Sequence, residues 1–298
     1  MLPLEAVPNF SEGRDRETIH ALAEALSEQA ELLDVHSDVD HNRSVFTLVG
    51  EEDALVEALV AGVAVARRRI DLRRHEGAHP RIGAADVVPV VPLRPEDMER
   101  ARATALHVAE RVGVELGLPV FLYGALGAGE GPAFFRRGGL GALGQRITRE
   151  ELRPDYGPSR LDPGAGAVLV GARPPLIAFN VNLAGARVEV AREIAALVRE
   201  SGGGFPGVRA LGLELRAAGL VQVSMNVEDH EAAALHEIVA RIEAEAEARG
   251  AELVGSELVG LMPAAAAAAA AGAMLRIDGF DASRVLELRL LERRKGRS

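Results

Sequence analysis

The chain has 298 residues, 48% of them apolar and 26% charged, with a net charge of −10 and no cysteine. That length and balance suit two globular domains rather than a disordered chain. The acidic surplus gives no support for nucleic-acid binding, and the missing cysteine excludes disulfides, thiolate metal sites and a cysteine nucleophile.

In chain order, residues 4–10 read as a short strand and 15–30 as a helix with Ile19, Leu22, Ala23 and Leu26 on one face. A second strand is expected at 32–35, a polar loop at 36–41 and a third strand at 44–49. A helix follows at 54–66, with Leu55, Leu59, Val63 and Ala66 in register, and then a strand at 86–91 beside Pro89 and Pro92. The order is βαββαβ, the ferredoxin-like arrangement. Next come a helix at 95–114, a strand at 119–123 and a glycine-rich stretch at 124–144, either a mobile loop near a site or a linker.

A similar order recurs. Strands are expected at 176–183, 208–215, 220–227 and 252–258, with helices at 188–201 and 230–248. The fold class is therefore α+β, two ferredoxin-like βαββαβ subdomains, 1–174 and 175–298. The halves share element order, not sequence. In the second, Ile177, Phe179, Val181 and Leu183 alternate with Asn180 and Asn182, and Val221, Val223, Met225 and Val227 alternate with Gln222, Ser224 and Asn226. Alternate residues share one sheet face. The polar face is either the wetted side of an antiparallel sheet or, since Asn and Gln are poor strand formers, a surface that hydrogen-bonds a planar polar ligand.

Beyond 258, the alanine-rich run 264–273 is too short and weakly hydrophobic to span a bilayer and reads as a helix packed on one side. Residues 282–294 read as a packed helix with a basic tail through Arg297. The start MLPLEAVPNF lacks a basic stretch before a long apolar run, so no signal peptide is expected. A cytoplasmic protein with no membrane partner is the expectation.

The densest chemistry lies in residues 67–86, RRRIDLRRHEGAHPRIGAAD, with six arginines and two histidines. His75 and His79 match the spacing of a zinc-protease HExxH pair, which needs both on one helix face. Gly77 weakens a helix there, and Pro80 pushes His79 out of the α region, so zinc is rejected. A loop-borne His79 can reach a cleft and carry a proton near neutral pH. It can equally be a structural hydrogen-bonder, as can His75. Most of the arginines at 67–69 and 73–74 read as a solvated helix end.

The strings VPNFSEG (7–13), NRSVFTLVG (42–50), GAHPRIGAADVVPVVP (77–92), RPDYGPS (153–159), GARPPLIAFNVNL (171–183) and LVGSELVGLMP (253–263) together resemble the glutamate formimidoyltransferase family, which is also the N-terminal part of the bifunctional formimidoyltransferase-cyclodeaminase. The similarity runs in order to about residue 263, so no cyclodeaminase part is expected. It implies two subdomains with folate in a cleft between them, and a homodimer. It implies transfer of the formimidoyl group of N-formimidoyl-L-glutamate to N5 of tetrahydrofolate, within histidine degradation and one-carbon metabolism. Tetrahydrofolate is then a co-substrate, and no metal is needed.

The family's catalytic histidine, in its HPR motif, corresponds to His79. Its folate-binding stretch corresponds to Gly164, Ala165, Gly166, Ala167, Val168, Leu169, Val170, Gly171, Ala172 and Arg173. The string LLDV (32–35) belongs to the same resemblance, and animal members carry an acid shortly after it, where this chain has His36. Asp38, Asp40 and Glu12 are the candidates to face the amidinium, and which one does so is left open. Arg43 and Arg81 are candidates for substrate carboxylates, by their bidentate fork. Asn180, Asn182, Gln222 and Asn226 are candidates for the planar polar ligand. Two rival functions remain: formyl transfer between 5-formyltetrahydrofolate and glutamate at the same histidine, and a folate-binding sensor without catalysis.

Overall fold

The structure is a computed structural model that describes residues 2–289. Its contacts divide the chain at Pro175/Leu176 into two units. Each unit is a mixed α/β layer with its own sheet and core.

The first unit opens with β1 (Leu4–Ala6) and β2 (Asn9–Phe10), two pieces of one extended run interrupted at Val7 and Pro8. Proline has no N–H to give a ladder, yet its carbonyl accepts from Phe46 N at 3.1 Å. Then come α1 (Arg16–Ser27), β3 (Glu31–Asp38), β4 (Arg43–Gly50), α2 (Glu52–Arg69) and β5 (Ala85–Val91). These strands lie in the order β3, β4, β1 with β2, β5, all antiparallel.

The first unit extends beyond the expected βαββαβ order: the helix and strand expected at 95–114 and 119–123 are present, and a further strand joins them. After α3 (Met98–Glu115) come β6 (Val120–Leu122), two short helices, α4 (Pro132–Arg136) and α5 (Gly139–Thr148), and β7 (Val168–Ala172). Strand β7 slots between β5 and β6, parallel to both. It is buried along its whole length, as parallel strands covered on both faces are.

Strand β3 also runs to Asp38, so the loop expected at 36–41 shrinks to a turn at 39–42. Cross-strand pairing overrides the polar composition there: Ser37 pairs with Ser44 and Asp38 with Arg43. The glycine-rich stretch is neither linker nor open loop throughout. Phe135 of α4 and Leu143 of α5 pack with Phe121, Ile82 and Leu169 in a small core on one face of the sheet. On the other face, α1, α2 and α3 bury Leu22, Leu59 and Val108 against Phe10, Phe46 and Val88.

The second unit runs β8 (Ile177–Ala184), α6 (Val188–Val198), β9 (Val208–Leu215), β10 (Leu220–Val227), α7 (Leu235–Glu247) and β11 (Glu252–Val259). The sheet order is β11, β8, β10, β9, all antiparallel. Val181, Val223 and Met225 face Ile194 and Ile238 of the two helices. Helix α8 (Ala264–Leu275) follows, with Ala266 buried in this core. Helix α7 starts later than the expected 230, because Asp229 closes a turn by accepting from the N–H groups of Glu231 and Ala232. The later part of the helix expected at 282–294, with its basic tail, lies outside the described residues. No helix among the described residues is long and apolar enough to cross a membrane.

Phe46 is fully buried and meets the Phe10 ring edge-on at 5.5 Å. Phe46→Ala is expected to destabilise the first unit by about 3–5 kcal/mol, read from the urea midpoint. A cost under about 1 kcal/mol would refute this packing.

Candidate active site

The site is built on three neighbouring strands of the first unit. At the pairing of β2 with β5, Asn9 faces Val87 but Phe10 faces Ala85, so Asp86 is an extra, bulged residue. A bulge re-aims a side chain and often lies beside an active site. The Asp86 side chain is fully buried. Its Oδ1 accepts from Ile82 N at 2.8 Å, and its Oδ2 accepts from Arg43 Nη1 at 3.0 Å and from Arg136 Nη2. Burial works to raise this carboxyl, but the charges of Arg136 and Arg43 outweigh it and hold it below the usual carboxylate range.

Arg43 begins β4 and reaches sideways across the sheet. Its Nε and Nη2 donate to Asn9 Oδ1 at 3.0 and 2.6 Å, and its Nη1 lies 2.8 Å from His79 Nδ1. Burial lowers the guanidinium to about 10, so it remains charged at neutral pH. His79 is pushed well below its ordinary value, first by burial and then by Arg43 and Arg136, with His41 and Arg81 adding to the effect. It is therefore a neutral imidazole beside a surplus of positive charge.

The loop that carries His79, residues 75–81, contains no helix. His75 and His79 thus do not share the helix face an HExxH pair requires. Arg81 ties the loop down. Its Nε and Nη2 donate to the His79 carbonyl at 3.2 and 2.6 Å, its Nη2 donates to the His41 carbonyl at 3.1 Å, and its Nη1 meets the His75 ring. Two glycines allow this crowding. A Cβ on Gly13 would collide with the Asp38 carbonyl, and one on Gly77 with the His41 carbonyl. Asn42, at φ 47°, stitches the pieces together. Its Oδ1 accepts from Gly13 N at 2.9 Å and its Nδ2 donates to the Glu76 carbonyl at 2.9 Å.

The proposed amidinium acids have other partners. Asp38 Oδ1 accepts from His41 N at 2.6 Å and lies 3.0 Å from His41 Nδ1. Burial opposes its ionisation, but these His41 bonds win and its carboxyl is lowered. Glu12 Oε1 accepts from Arg14 N and Asp15 N at 2.8 and 2.9 Å, shaping the turn into α1. The carbonyl of Asp40 accepts from Ala78 N at 2.9 Å. The His41 ring stands edge-on to His79, 6.1 Å between centroids, and its buried Nε2 has no partner among the described residues.

The remaining candidates lie on other elements. Residues 165–172 are buried; Val168 and Val170 pack in the large core, Ala167 and Leu169 in the small one. This stretch can meet a ligand through its ends, Gly164 and Arg173, the latter bonded to Tyr123.

In the second unit the amide face is knit around Glu257 of β11. Asn180 Nδ2 donates to Glu257 Oε2 at 2.9 Å, and Gln222 Nε2 donates to Asn182 Oδ1 at 2.9 Å and to Glu257 Oε2 at 3.4 Å. Gln222 is fully buried, with Oε1 unpartnered, while Asn226 is exposed.

Sequence reasoning missed Asp86, Arg136, Asn9, His41, Asn42 and Glu257. Only Asp86 carried a visible signal, a charge inside the apolar run of a strand. No cluster of three or more His, Asp or Glu suited to a metal occurs among the described residues.

Residues 3–173 match the formiminotransferase domain, N-terminal subdomain, and residues 178–282 match the formiminotransferase domain. The chain is 39% identical over 294 residues to a glutamate formimidoyltransferase of Streptococcus pyogenes serotype M1, covering 97% of this chain and 98% of that one. It is 38% identical over 299 residues to the glutamate formimidoyltransferase of Thermoplasma acidophilum, covering 96% and 97%. It is 40% identical over 273 residues to the formimidoyltransferase-cyclodeaminase of Rattus norvegicus, covering 87% of this chain and 50% of that protein.

Burial, with Arg81 second, lowers His75 to about 4. Unfolded histidine titrates near 6.5, so between about 4 and 6.5 the unfolded chain binds a proton that the folded chain refuses. Stability therefore falls as pH drops through that window, and His79 acts in the same direction. His75→Gln should make the fall of the urea midpoint between about pH 7 and 4.5 shallower. An unchanged slope would contradict the assignment.

Proposed function

The chain belongs to the formiminotransferase domain family, and from that premise we propose that it moves the formimidoyl group of N-formimidoyl-L-glutamate to N5 of tetrahydrofolate, releasing L-glutamate and 5-formimidoyltetrahydrofolate. Within the site, the observation that carries this reading is His79, kept neutral among the cations Arg43, Arg136 and Arg81 around one buried carboxylate.

The chemistry asks for two things that such a site supplies. N5 must lose a proton as it attacks the amidinium carbon, and the departing glutamate nitrogen must gain one. Neutral His79 can take the first proton and return it to the second nitrogen, a role worth roughly 10²–10⁴ in rate. Both substrates bring carboxylates, and the positive surplus attracts them. Arg43 and Arg81 give most of their donors to the protein itself, so their contribution to binding is field more than bidentate contact. Arg173 and Gly164, at the ends of the buried stretch 164–173, are the candidate folate contacts with solvent exposure, and Asn182 and Asn226 of the second unit, also exposed in part or whole, keep their candidacy for a planar polar ligand. Folate acts as co-substrate, and the protein works in the cytoplasm as a homodimer.

A second reading keeps the same histidine and moves a formyl group between 5-formyltetrahydrofolate and glutamate. The observation on its side is that Asp38 and Glu12 each commit one carboxylate oxygen to nearby backbone N–H groups, so each has a single oxygen rather than a fork to offer an amidinium.

Tetrahydrofolate-dependent release of glutamate from N-formimidoyl-L-glutamate, unaffected by a chelator, is the expected result. His79→Ala should fold normally and lose at least about two orders of magnitude of this activity. A folded, fully active His79→Ala protein would sink the assignment. Turnover with the formyl donor alone would replace the first reading with the second.

A further inference from the structure

Glu5 stands in the middle of the first unit's sheet. Its strand, β1, lies between β4 and β5, where Glu5 pairs with Val49 and Val91. Leu4 and Ala6 on either side of it pack in the large core, so Glu5 projects from the opposite face, the one that carries Tyr123 and Phe135. A carboxylate in a central strand is costly unless donors replace its water, and no donor among the described residues bonds this one. Burial raises the half-buried carboxyl above its ordinary value, and the charge of Arg173 opposes the shift. Arg173 continues β7 past Ala172, which pairs with Val90, and its backbone N–H donates to the Val90 carbonyl at 3.2 Å. Glu5, Val91 and Arg173 therefore form one row across three strands, with the two charged residues about 10 Å apart at Cα, two strand spacings. Their side chains attract each other without forming an ion pair. The guanidinium donates to the Pro174 carbonyl at 3.0 Å and to the Tyr123 hydroxyl, and it has further N–H groups to give.

From this row we propose that Glu5 and Arg173 hold the amino-oxo edge of the pterin ring of the reduced folate. The proposal rests on the reading of tetrahydrofolate as co-substrate. That edge presents two donors, the 2-amino group and the N3 hydrogen, beside one acceptor, the 4-oxo oxygen. An ionised carboxylate takes both donors as a fork, and a guanidinium next to it supplies the remaining hydrogen bond. Glu5 and Arg173 offer these groups side by side and unjoined, in the order the edge requires. The cost of a central carboxylate without donors is then offset when the pterin brings them. The row also leads to the chemistry. Glu5 lies four residues before Asn9 along one extended run, about 13 Å at the rise of a strand, and Asn9 holds the Arg43 that touches His79. Tyr123 feels the charges of both Arg173 and Arg136, and Arg136 shares Asp86 with Arg43. With its amino-oxo edge on Glu5 and Arg173, the pterin has its other ring, which bears N5, free to extend toward that cluster.

The test measures binding apart from turnover. Tetrahydrofolate, and an analogue with methyl in place of the 2-amino group, are titrated calorimetrically in anaerobic buffer into the full chain and into Glu5→Gln. The unaltered protein should bind the analogue at least about tenfold more weakly, because the carboxylate is left short of a donor. Glu5→Gln should bind tetrahydrofolate about 10–100-fold more weakly, because its amide turns a donor toward the donors of the pterin. It should also distinguish the two ligands by less than about threefold, whereas a merely structural Glu5 would leave their ratio unchanged. Arg173→Met should weaken tetrahydrofolate and keep the discrimination at the 2-amino group. Equal binding of the two ligands by the unaltered protein, or binding of neither, overturns the proposal, and so does an unchanged ratio in Glu5→Gln. If Glu5→Gln fails to fold, the two ligands on the unaltered protein still decide. Discrimination lost in Glu5→Gln alongside no glutamate release by the unaltered protein counts against the transfer and not against the subsite. Glutamate release by a protein that does not distinguish the ligands counts against the subsite and not against the transfer.

Discussion

The Asp86 carboxylate is fully buried, and an ionised carboxylate out of water costs several kcal/mol unless charge and hydrogen bonds replace its hydration. Much of the first unit serves that requirement. Arg43 comes from β4, Arg136 from α4 and an N–H from Ile82. The carboxylate thereby joins the middle of the sheet to the glycine-rich segment, whose Phe135 is packed against Phe121 at 5.3 Å. Removing either arginine leaves the charge short of a partner, and removing the carboxylate leaves two guanidiniums without their anion. The three side chains stand or fall together, which is why His79 finds a guanidinium at a fixed place.

Backbone crowding supplies the other half of the geometry. His79 sits on a loop without regular structure, and such loops are ordinarily the most variable part of a fold. Here the loop is pressed onto the 39–42 turn closely enough that only glycine fits at 77, and the neighbouring segment closely enough that only glycine fits at 13. Arg81 and Asn42 then complete the hydrogen bonding of carbonyls at 41, 76 and 79. A flexible segment becomes a rigid support because its backbone polar groups are satisfied by side chains rather than by a helix or a ladder.

Sequence pattern revealed what depends on local periodicity. The face of α2 that carries Leu55, Leu59 and Val63 is buried as the spacing predicts, and so is the apolar face of β10. It failed where the answer lay in pairing between distant segments. Strand β7 has no alternation because it is covered on both sides, and the family resemblance marked it as part of a folate-binding stretch rather than as a strand. The end of β3 is polar, yet β4 pairs with it. The bulge that aims Asp86 is a property of register between β2 and β5 and has no local signature. Arg43 and Arg81 were singled out as forks for carboxylates; the structure shows the fork of Arg43 on Asp86 and Asn9, and that of Arg81 on carbonyls and a histidine. Amides on β8 and β10 were legible by alternation, but their common partner Glu257 lies on β11, which only the folded sheet brings alongside.

A protein with a net charge of −10 repels anions on average, so an anionic substrate needs a local exception. The first unit makes that exception by burying one carboxylate among three arginines rather than by lining a surface with lysines. Exposed cations would be screened over about 8–10 Å of salt solution, whereas half-buried guanidiniums keep much of their field. Burial is the first reason that His79 stays neutral, and the same field is the second: a cation placed there would add to a site already positive. Attraction of carboxylates and suppression of imidazolium are then two effects of one charge arrangement. In the transfer proposed for this site, strengthening the first by another exposed cation near His79 would weaken its ability to take a proton, so the surplus that would draw substrates in is also what would limit His79 as a base.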